Sequence, residues 1–498
     1  MKKMGNFYKS AIKNKLVLII LGLSLVISSH KIAYSQAVVS IPKTGSLILT
    51  QAFKSIDFNA NYYKTLAESD RFYRKGNLSE SRQIQQRVKP NFSPAKAIEP
   101  AINDLSKLDT KARGYWNTAK QGIEDDPQDA EEITDRIFTP LENLVKEYPA
   151  FVPGHILLAD THDLYGEEKQ ALNVIEKAAQ LYPNSQDIVD TQIDLLLFYG
   201  KPLEASITAR EFAQTHPDSP YSASYKQAAD SYFKQYQKKL KSKITVSGIL
   251  GGIGQVATGN QGSALQIGQM LLAGEKSAGQ SFAESIKAQS NMVSNPTQLK
   301  YLNDVGQKLA KLMGRNEFEY EFYIVEDPTP NAFALPGGKI FFHTGMLQLM
   351  DSEAELAGVL AHEIAHSVLS HSYKRLGEAS LSATAANVVS SVAGREAGIV
   401  AKIGDGLLSR KFSRGKEKQS DILGLRVLDA AGYSADGLYN VMAKLKQLQG
   451  ESNAVASLLS SHPASEERMR YLEELIQTKG YNRYGYEGVE TYRAIFPR

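Results

Sequence analysis

The sequence predicts a mainly α-helical protein, in which an N-terminal α-solenoid of stacked helix pairs precedes an α+β domain with a small sheet. Similar residues recur every 34 positions in the first half of the chain, and helical patterns alternate with short β-type segments after residue 295. The length of 498 residues is too great for one ordinary domain. We divide the chain into segments 1–35, 36–110, 111–243, 244–294 and 295–498.

The composition is that of a globular protein, with 42% apolar and 22% charged residues. There are no cysteines, which excludes disulfides, thiolate metal ligands and a cysteine nucleophile. The formal net charge is +3, but six lysines and no acidic residues fall within the first 35 positions. The remainder is mildly acidic, so the charge balance predicts no nucleic-acid partner.

Residues 1–35 have the pattern of a cleaved signal peptide. Lysines precede the apolar run Leu16–Ile27, and Ala33-Tyr34-Ser35 provides a small-x-small cleavage site. The alternative is an uncleaved anchor, although the run is short compared with the roughly 20 residues of a spanning helix. The sequence therefore predicts a periplasmic or secreted protein.

The 34-residue period runs through the segment 111–243 and resembles the tetratricopeptide repeat, in which each helix pair buries its apolar face against a neighbour. Two repeats are clear, and a third that begins near Pro217 is predicted to act as a cap. The segment Leu66–Val88 is predicted to form an earlier helix pair within 36–110, to which no function is assigned. The matched positions are Pro149, Pro183 and Pro217; Asp160 and Asp194; Tyr165 and Tyr199; Gly166 and Gly200; and Ala171 and Ala205.

The segment 244–294 is predicted to be a Gly-rich linker or lid. Residues Ile244–Gly279 contain nine glycines, and interspersed glutamines argue against a membrane span. An interfacial helix that makes peripheral contact with a membrane is the alternative.

The segment 295–498 has mixed α and β signals. A helix is predicted over Pro296–Met313, with an apolar side formed by Leu302, Val305, Leu309 and Leu312. Strands are predicted at Glu319–Val325 and on both sides of Pro336-Gly337-Gly338. Ser352 and Glu355 form a capping box for a further helix, which is predicted to last to about His371.

The last of these helices contains His362-Glu363-Ile364-Ala365-His366. Because an α-helix turns by about 100° per residue, His362 and His366 lie one turn apart on the same face and can bind one metal ion. By the same geometry, His371 is predicted to point roughly 140° away from His366 and to be structural or exposed, not a ligand. Leu356, Leu360, Ile364 and Val368 form the opposite stripe, which is predicted to be buried.

A second predicted helix, Arg414–Ala430, carries Glu417 and Asp421 one turn apart. A catalytic zinc takes three protein ligands and keeps one position open, and His362, His366 and Glu417 satisfy this requirement with one Zn²⁺ per chain. Glu363 is the predicted general base, and Asp421 is predicted to accept a hydrogen bond from a ligand imidazole. The alternative for both acidic residues is a solvated helix face.

These motifs, with Asn331–Gly338 and His462-Pro463, resemble the HtpX and CAAX-prenyl-protease type of zinc metallopeptidase over about 295–471. The resemblance implies a gluzincin fold, a third ligand at Glu417, and a substrate-binding edge strand that includes Asn331, Ala332, Phe333 and Ala334. It also implies that His462 and Arg468 lie near the metal, where they stabilise an oxyanion. Two alternatives for His462 are a plug in the open zinc position and a structural helix cap. The sequence differs from the family at Gln419-Ser420, where Glu-Ala is common.

Two functional hypotheses follow. The first is a zinc endopeptidase acting on unfolded or misassembled cell-envelope proteins, with residues 376–412 covering its cleft. Its combination of signal peptide, peptidase and repeats resembles a group of periplasmic peptidases, which implies the outer-membrane assembly machinery as a partner of the repeats. In that group the repeats follow the peptidase, whereas here they precede it. The second hypothesis is a catalytically silent tetratricopeptide scaffold or chaperone.

Overall fold

A helical hairpin opens the part of the chain that the structure, a computed structural model, describes. That part comprises residues 59–93, 99–254, 273–376, 412–448, 462 and 466–497, so the predicted signal peptide and most of the predicted cleft cover lie outside it. The hairpin consists of α1 (Ala60–Arg74) and α2 (Leu78–Gln86). The helix pair predicted over residues 66–88 is thus confirmed.

This hairpin packs against the C-terminal half of the chain. Tyr63 donates a 2.6 Å hydrogen bond to Glu355, and Asp70 accepts hydrogen bonds from the backbone N–H groups of Glu487 and Val489 at 2.9 and 3.0 Å. The hairpin therefore forms part of the same compact unit, residues 55–498, as the helices that carry His362 and Glu417.

Short helices follow, and they lead into two helix pairs of matching length. The first pair is Val152–Leu164 and Glu168–Leu181, and the second pair is Gln186–Phe198 and Pro202–Thr215. Both helices of the second pair begin and end 34 residues after their counterparts in the first pair. Gly166 and Gly200 adopt positive φ angles of 76° and 68° at the turns, a conformation that glycine adopts without strain. The helices are α3 (Thr110–Asp125), α4 (Ala130–Ile133), α5 (Thr139–Glu147), α6 (Val152–Leu164), α7 (Glu168–Leu181), α8 (Gln186–Phe198) and α9 (Pro202–Thr215), with a π-helical turn at Thr134–Phe138.

The third, degenerate repeat does not continue this regular pattern. Helix α10 (Ser222–Gly254) is 33 residues long, whereas α6 and α8 have 13 residues each. It packs along α9, where Tyr225 and Ala229 join Phe212 in an apolar cluster. The second repeat is thus covered by one long helix.

The segment 244–294 was predicted to be a Gly-rich linker or lid, but both of its described ends are helical and not a linker. Residues 255–272 lie outside the described ranges. Residues 244–254 belong to α10, and α11 (Glu275–Gln289) is a helix whose Phe282 is buried in the same cluster as Phe341. A Cβ atom at Gly279 would lie 1.8 Å from the carbonyl oxygen of Pro336. At this position glycine permits close packing of α11, so its presence does not indicate a flexible segment.

Helix α12 (Pro296–Met313) confirms its prediction, except that Leu312 is 39% exposed and Met313 lies on the buried side instead. The sheet that follows contains β1 (Glu321–Val325), β2 (Ala332–Leu335) and β3 (Lys339–His343), in the order β1-β3-β2. Strand β3 pairs parallel with β1 and antiparallel with β2, so β2 is an edge strand of the described sheet.

The remaining described helices complete the α+β part. Across the described ranges, no helix combines the length and the apolarity that crossing a membrane requires. The mainly helical fold with a small sheet is thus confirmed. The helices are α13 (Thr344–Leu349), α14 (Glu353–Val368), α15 (Arg414–Ala430), α16 (Gly437–Leu448), α17 (Glu466–Lys479) and α18 (Val489–Ile495).

Candidate metal centre

Helix α14 carries the histidine pair through the centre of the fold. Its N-cap is Ser352, whose hydroxyl oxygen accepts a 3.2 Å hydrogen bond from the N–H of Glu355. Every residue from Ala354 to Val368 is buried, including the predicted apolar stripe. A helix buried on all sides holds its side chains in fixed positions, which is what a metal site requires.

Helix α15 crosses α14 closely and brings Glu417 and Asp421 to the histidines. At the crossing, a Cβ atom at Gly424 would lie 3.3 Å from backbone atoms of Ala361 and His362. The absence of a side chain at Gly424 therefore allows the two helices to approach each other.

Four buried side chains bring their donor atoms within 4.8 Å of one another: His362, His366, Glu417 and His462. Nε2 of His362 and Nε2 of His366 are 3.1 Å apart, and Glu417 Oε1 lies 3.4 Å from His366 Nε2. Ligands at tetrahedral zinc distances are separated by about 3.3 Å. The donor set therefore fits a single metal ion.

Asp421 and Arg468 form a polar layer behind these donors. Asp421 Oδ1 lies 2.9 Å from Nδ1 of His362, as predicted for a carboxylate that orients a ligand imidazole. Arg468 donates to Asp421 at 2.7 and 2.8 Å and to Glu417 at 2.6 Å. Burial alone would raise the pKa of Glu417, but His462 and Arg468 hold this pKa well below its usual value. Glu417 is therefore ionised, as a metal ligand must be.

Glu363 lies beside the donor cluster, and one of its carboxylate oxygens accepts no hydrogen bond from the described residues. Its Oε2 atom is buried and has no hydrogen-bond partner among the described residues, while Oε1 lies 3.7 Å from Nε2 of His462. Burial raises the pKa of Glu363. An unpaired buried carboxylate oxygen next to a metal site is suited to accept a proton from a reacting group.

His462 is placed among the donors. Its Nδ1 atom lies 3.0 Å from Glu417 Oε1 and 3.4 Å from His362 Nε2. The described structure thus brings together all seven side chains that the sequence placed around the metal: His362, Glu363, His366, Glu417, Asp421, His462 and Arg468.

The prediction that His371 points away from His366 is wrong. The two Nδ1 atoms lie 3.0 Å apart, because Ser370 adopts a left-handed conformation (φ 57°) that ends the regular turn of α14. The 140° estimate assumed an uninterrupted helix. Phe412 was not predicted as a site residue, because no signal in the sequence identified it. Its ring stacks on that of His366, with the ring centroids 4.1 Å apart.

The predicted substrate strand lies at the sheet edge beside α14. Asn331 accepts a hydrogen bond from His343 N at 2.9 Å, so the backbone groups of Ala332 and Ala334 face away from β3. The Ala334 carbonyl already accepts a 2.6 Å hydrogen bond from Ser372. Among the described residues, the strand pairs only with β3.

Comparison with known proteins defines the class. Residues 296–476 match the model of Peptidase family M48, a range that includes α14, α15 and most of α17. This segment is therefore similar to metallopeptidases of that family.

Particular relatives include mitochondrial metalloendopeptidase OMA1 of Schizosaccharomyces pombe, 30% identical over 36% of this chain and 53% of that protein. Beta-barrel assembly-enhancing protease of Escherichia coli is 26% identical, over 42% of this chain and 44% of its own. Metalloprotease YcaL of Escherichia coli is 29% identical, over 34% of this chain and 68% of its own. The chain thus spans about half the length of the first two relatives.

Proposed function

We propose that the protein is a zinc-dependent endopeptidase with one Zn²⁺ per chain, which hydrolyses unfolded or misassembled proteins of the cell envelope. The observation that carries the proposal is the buried cluster of two imidazoles and the Glu417 carboxylate, with an unpaired oxygen of Glu363 beside it. Two neutral nitrogen donors and one carboxylate are a common donor set of catalytic zinc. Burial lowers the pKa of His366 well below its usual value, which keeps its imidazole neutral.

The bound zinc would lower the pKa of a water molecule and polarise the substrate carbonyl. Glu363 accepts the proton of the attacking water and returns it to the leaving amine. Asp421 accepts a hydrogen bond from His362 Nδ1 and leaves Nε2 of that ring for the metal. Arg468 fixes Asp421 and Glu417 together. Because its nitrogens already bind these carboxylates, a positioning role is better supported than oxyanion stabilisation.

We assign His462 the role of a plug at the open metal position. Its Nδ1 atom lies 3.0 Å from Glu417 and 3.4 Å from His362, so it would supply a fourth ligand to a bound metal. A metal with four protein ligands has no position for water, as in a structural site. The arrangement is thus a resting state, from which His462 must move before hydrolysis.

Strand β2 is the proposed binding surface for the substrate backbone. The outward-facing N–H and carbonyl groups of Ala332 and the N–H of Ala334 can pair with an extended polypeptide, as in β-strand addition, whereas the Ala334 carbonyl is engaged by Ser372. Such pairing demands little of the substrate sequence and excludes folded chains, which suits unfolded or misassembled proteins.

The helix pairs α6–α9 are proposed to be tetratricopeptide repeats that recruit substrate or a partner. Their 34-residue spacing supports this assignment. The name of the β-barrel assembly-enhancing relative supports a contact with the machinery that assembles outer-membrane β-barrels, and we propose a periplasmic location for this contact. The signal-peptide pattern of residues 1–35 agrees with this location.

The test compares the mature protein with Glu363→Gln in three measurements: zinc content, hydrolysis of unfolded casein, and capture of envelope proteins by cross-linking. We expect the variant to retain zinc, lose hydrolysis and retain captured substrates. If wild type binds zinc but hydrolyses nothing, or if the variant is as active as wild type, the peptidase proposal is wrong and the scaffold function replaces it.

A further inference from the structure

A chain of hydrogen bonds connects metal-site residue His366 to helix α9 in the repeat region. Nδ1 of His366 lies 3.0 Å from Nδ1 of His371, and Nε2 of His371 lies 3.1 Å from Oε1 of Gln419. Gln419 Nε2 donates to Oε2 of Glu211, which belongs to α9. Three side chains thus span the distance from the metal centre to the second repeat.

The donors and acceptors of this chain agree with one set of tautomers. When Nε2 of His366 faces the metal, its Nδ1 atom carries the proton. This N–H group donates a hydrogen bond to the lone pair of His371 Nδ1. His371 then carries its proton on Nε2 and donates to the carbonyl oxygen of Gln419. The Gln419 amide in turn donates to Glu211, which is an acceptor when ionised. Each group therefore favours the tautomer that leaves His366 Nε2 free to bind a metal.

The backbone around Ser370 is held so that His371 can take this position. The Ser370 hydroxyl donates to Glu275 at 3.0 Å, and Glu275 also accepts a hydrogen bond from Arg315 at 3.3 Å. Arg315 further donates to the carbonyl of Val368 at 3.1 Å, at the end of α14. Arg210, which precedes Glu211 on α9, donates to Ser370 at 3.5 Å. Helix α9 thus contacts Ser370 directly through Arg210 and reaches His371 through Gln419.

We propose that His371, Gln419 and Glu211 are positioning residues that hold His366 in its metal-binding tautomer, so that the repeat region completes the metal site. The proposal deepens the proposed function and rests on it, because it assumes that His366 binds the metal. Hydrogen bonds of this kind to ligand imidazoles orient the ring and raise its basicity. It follows that the peptidase segment separated from α9 would have an incomplete site.

The variants Gln419→Leu and Glu211→Leu interrupt the chain of hydrogen bonds. Glu211→Gln is the conservative replacement, because its amide oxygen still accepts a hydrogen bond from Gln419. Glu204→Gln is the matched control: Glu204 lies on the same helix and pairs with Lys374 at 3.1 Å, outside the chain of hydrogen bonds. Each full-length mature variant is compared with wild type in three measurements: zinc affinity by competition with a chelator, the visible absorption spectrum of the Co²⁺ form, and thermal unfolding of the metal-free protein.

We expect Gln419→Leu to weaken zinc binding by about 10- to 100-fold and to shift the Co²⁺ spectrum. Glu211→Leu should weaken zinc binding and shift the Co²⁺ spectrum in the same direction, but by smaller amounts. Glu211→Gln and Glu204→Gln should match wild type in both measurements. If Gln419→Leu does not fold, the pair Glu211→Leu and Glu211→Gln decides by the same criteria. Zinc affinities and Co²⁺ spectra equal to those of wild type in both leucine variants would overturn the proposal. Because neither measurement involves hydrolysis, this result is distinguishable from a wild-type protein that binds metal and cleaves nothing.

Discussion

Lys89 and Glu487 are separated by almost 400 residues, yet the Lys89 ammonium lies 2.5 Å from a Glu487 carboxylate oxygen and both side chains are fully buried. The same ammonium donates to Ser434, Asp436 and the carbonyl of Arg483 at 2.6 to 2.8 Å. This contact joins the segment after the N-terminal hairpin to the C-terminal half of the chain. The N-terminal segment, for which the sequence indicated no role, therefore contributes to the fold of the C-terminal half.

Replacing Lys89 by Met tests this structural role. The substitution leaves Glu487 buried without its cation and Asp436 with Arg483 alone, so we expect the free energy of unfolding to fall by about 3–5 kcal/mol. Urea denaturation followed by circular dichroism measures the change. Lys75→Met, at an exposed position after α1, is the control and should change stability little. Equal effects of the two substitutions would contradict the role assigned to Lys89.

Replacing Glu363 by Gln tests the proposed general base. The amide retains the shape of the side chain but does not accept a proton, so we expect kcat for casein hydrolysis to fall by about 10²- to 10⁴-fold with zinc content unchanged. Glu326→Gln, an exposed replacement of the same type, is the control for both measurements. A loss of zinc together with activity would instead assign Glu363 to metal binding.

Replacing His462 by Ala tests the proposed resting state. Removal of the fourth donor would open a metal position to water, so we expect faster hydrolysis of a short unstructured peptide, with the single zinc still bound through His362, His366 and Glu417. Initial rates with a quenched fluorescent peptide measure the effect. A decrease in kcat at constant zinc content would favour a role for His462 in stabilising the oxyanion.

The pH dependence of stability tests the environment of Glu211. Removal from water, together with the nearby Glu176, raises the pKa of Glu211 to about 7, although Gln419 and Lys418 oppose this shift. Because the folded state then binds the proton more tightly than the unfolded state, this contribution to stability is lost as pH rises from about 4.5 through 7. We expect the free energy of unfolding of metal-free wild type, relative to Glu211→Gln, to decrease between pH 5 and pH 8. A difference that does not change over this range, measured by urea denaturation, would contradict the raised pKa.

Local patterns in the sequence were sufficient to predict much of the fold. The helices over 296–313 and from Ser352 follow from caps and apolar periodicity, and the turns at Gly166 and Gly200 follow from glycine at a positive φ angle. The same reasoning failed for residues 275–289, where Gly279 suggested a linker. Its role depends on the backbone of Pro336, which is distant in sequence and cannot be recognised from the local pattern.

The sequence by itself determined the chemical groups of the site, because the spacing of His362 and His366 places both imidazoles on one face of any helix that contains them. Only the tertiary structure decided how the groups on other segments reach them. His371 contacts His366 because one residue, Ser370, leaves the helical conformation, and Glu211 joins the site because α9 packs against α15. Helical periodicity is a property of neighbouring residues, whereas these contacts depend on how separate helices pack, which is decided by the shape and burial of the whole chain.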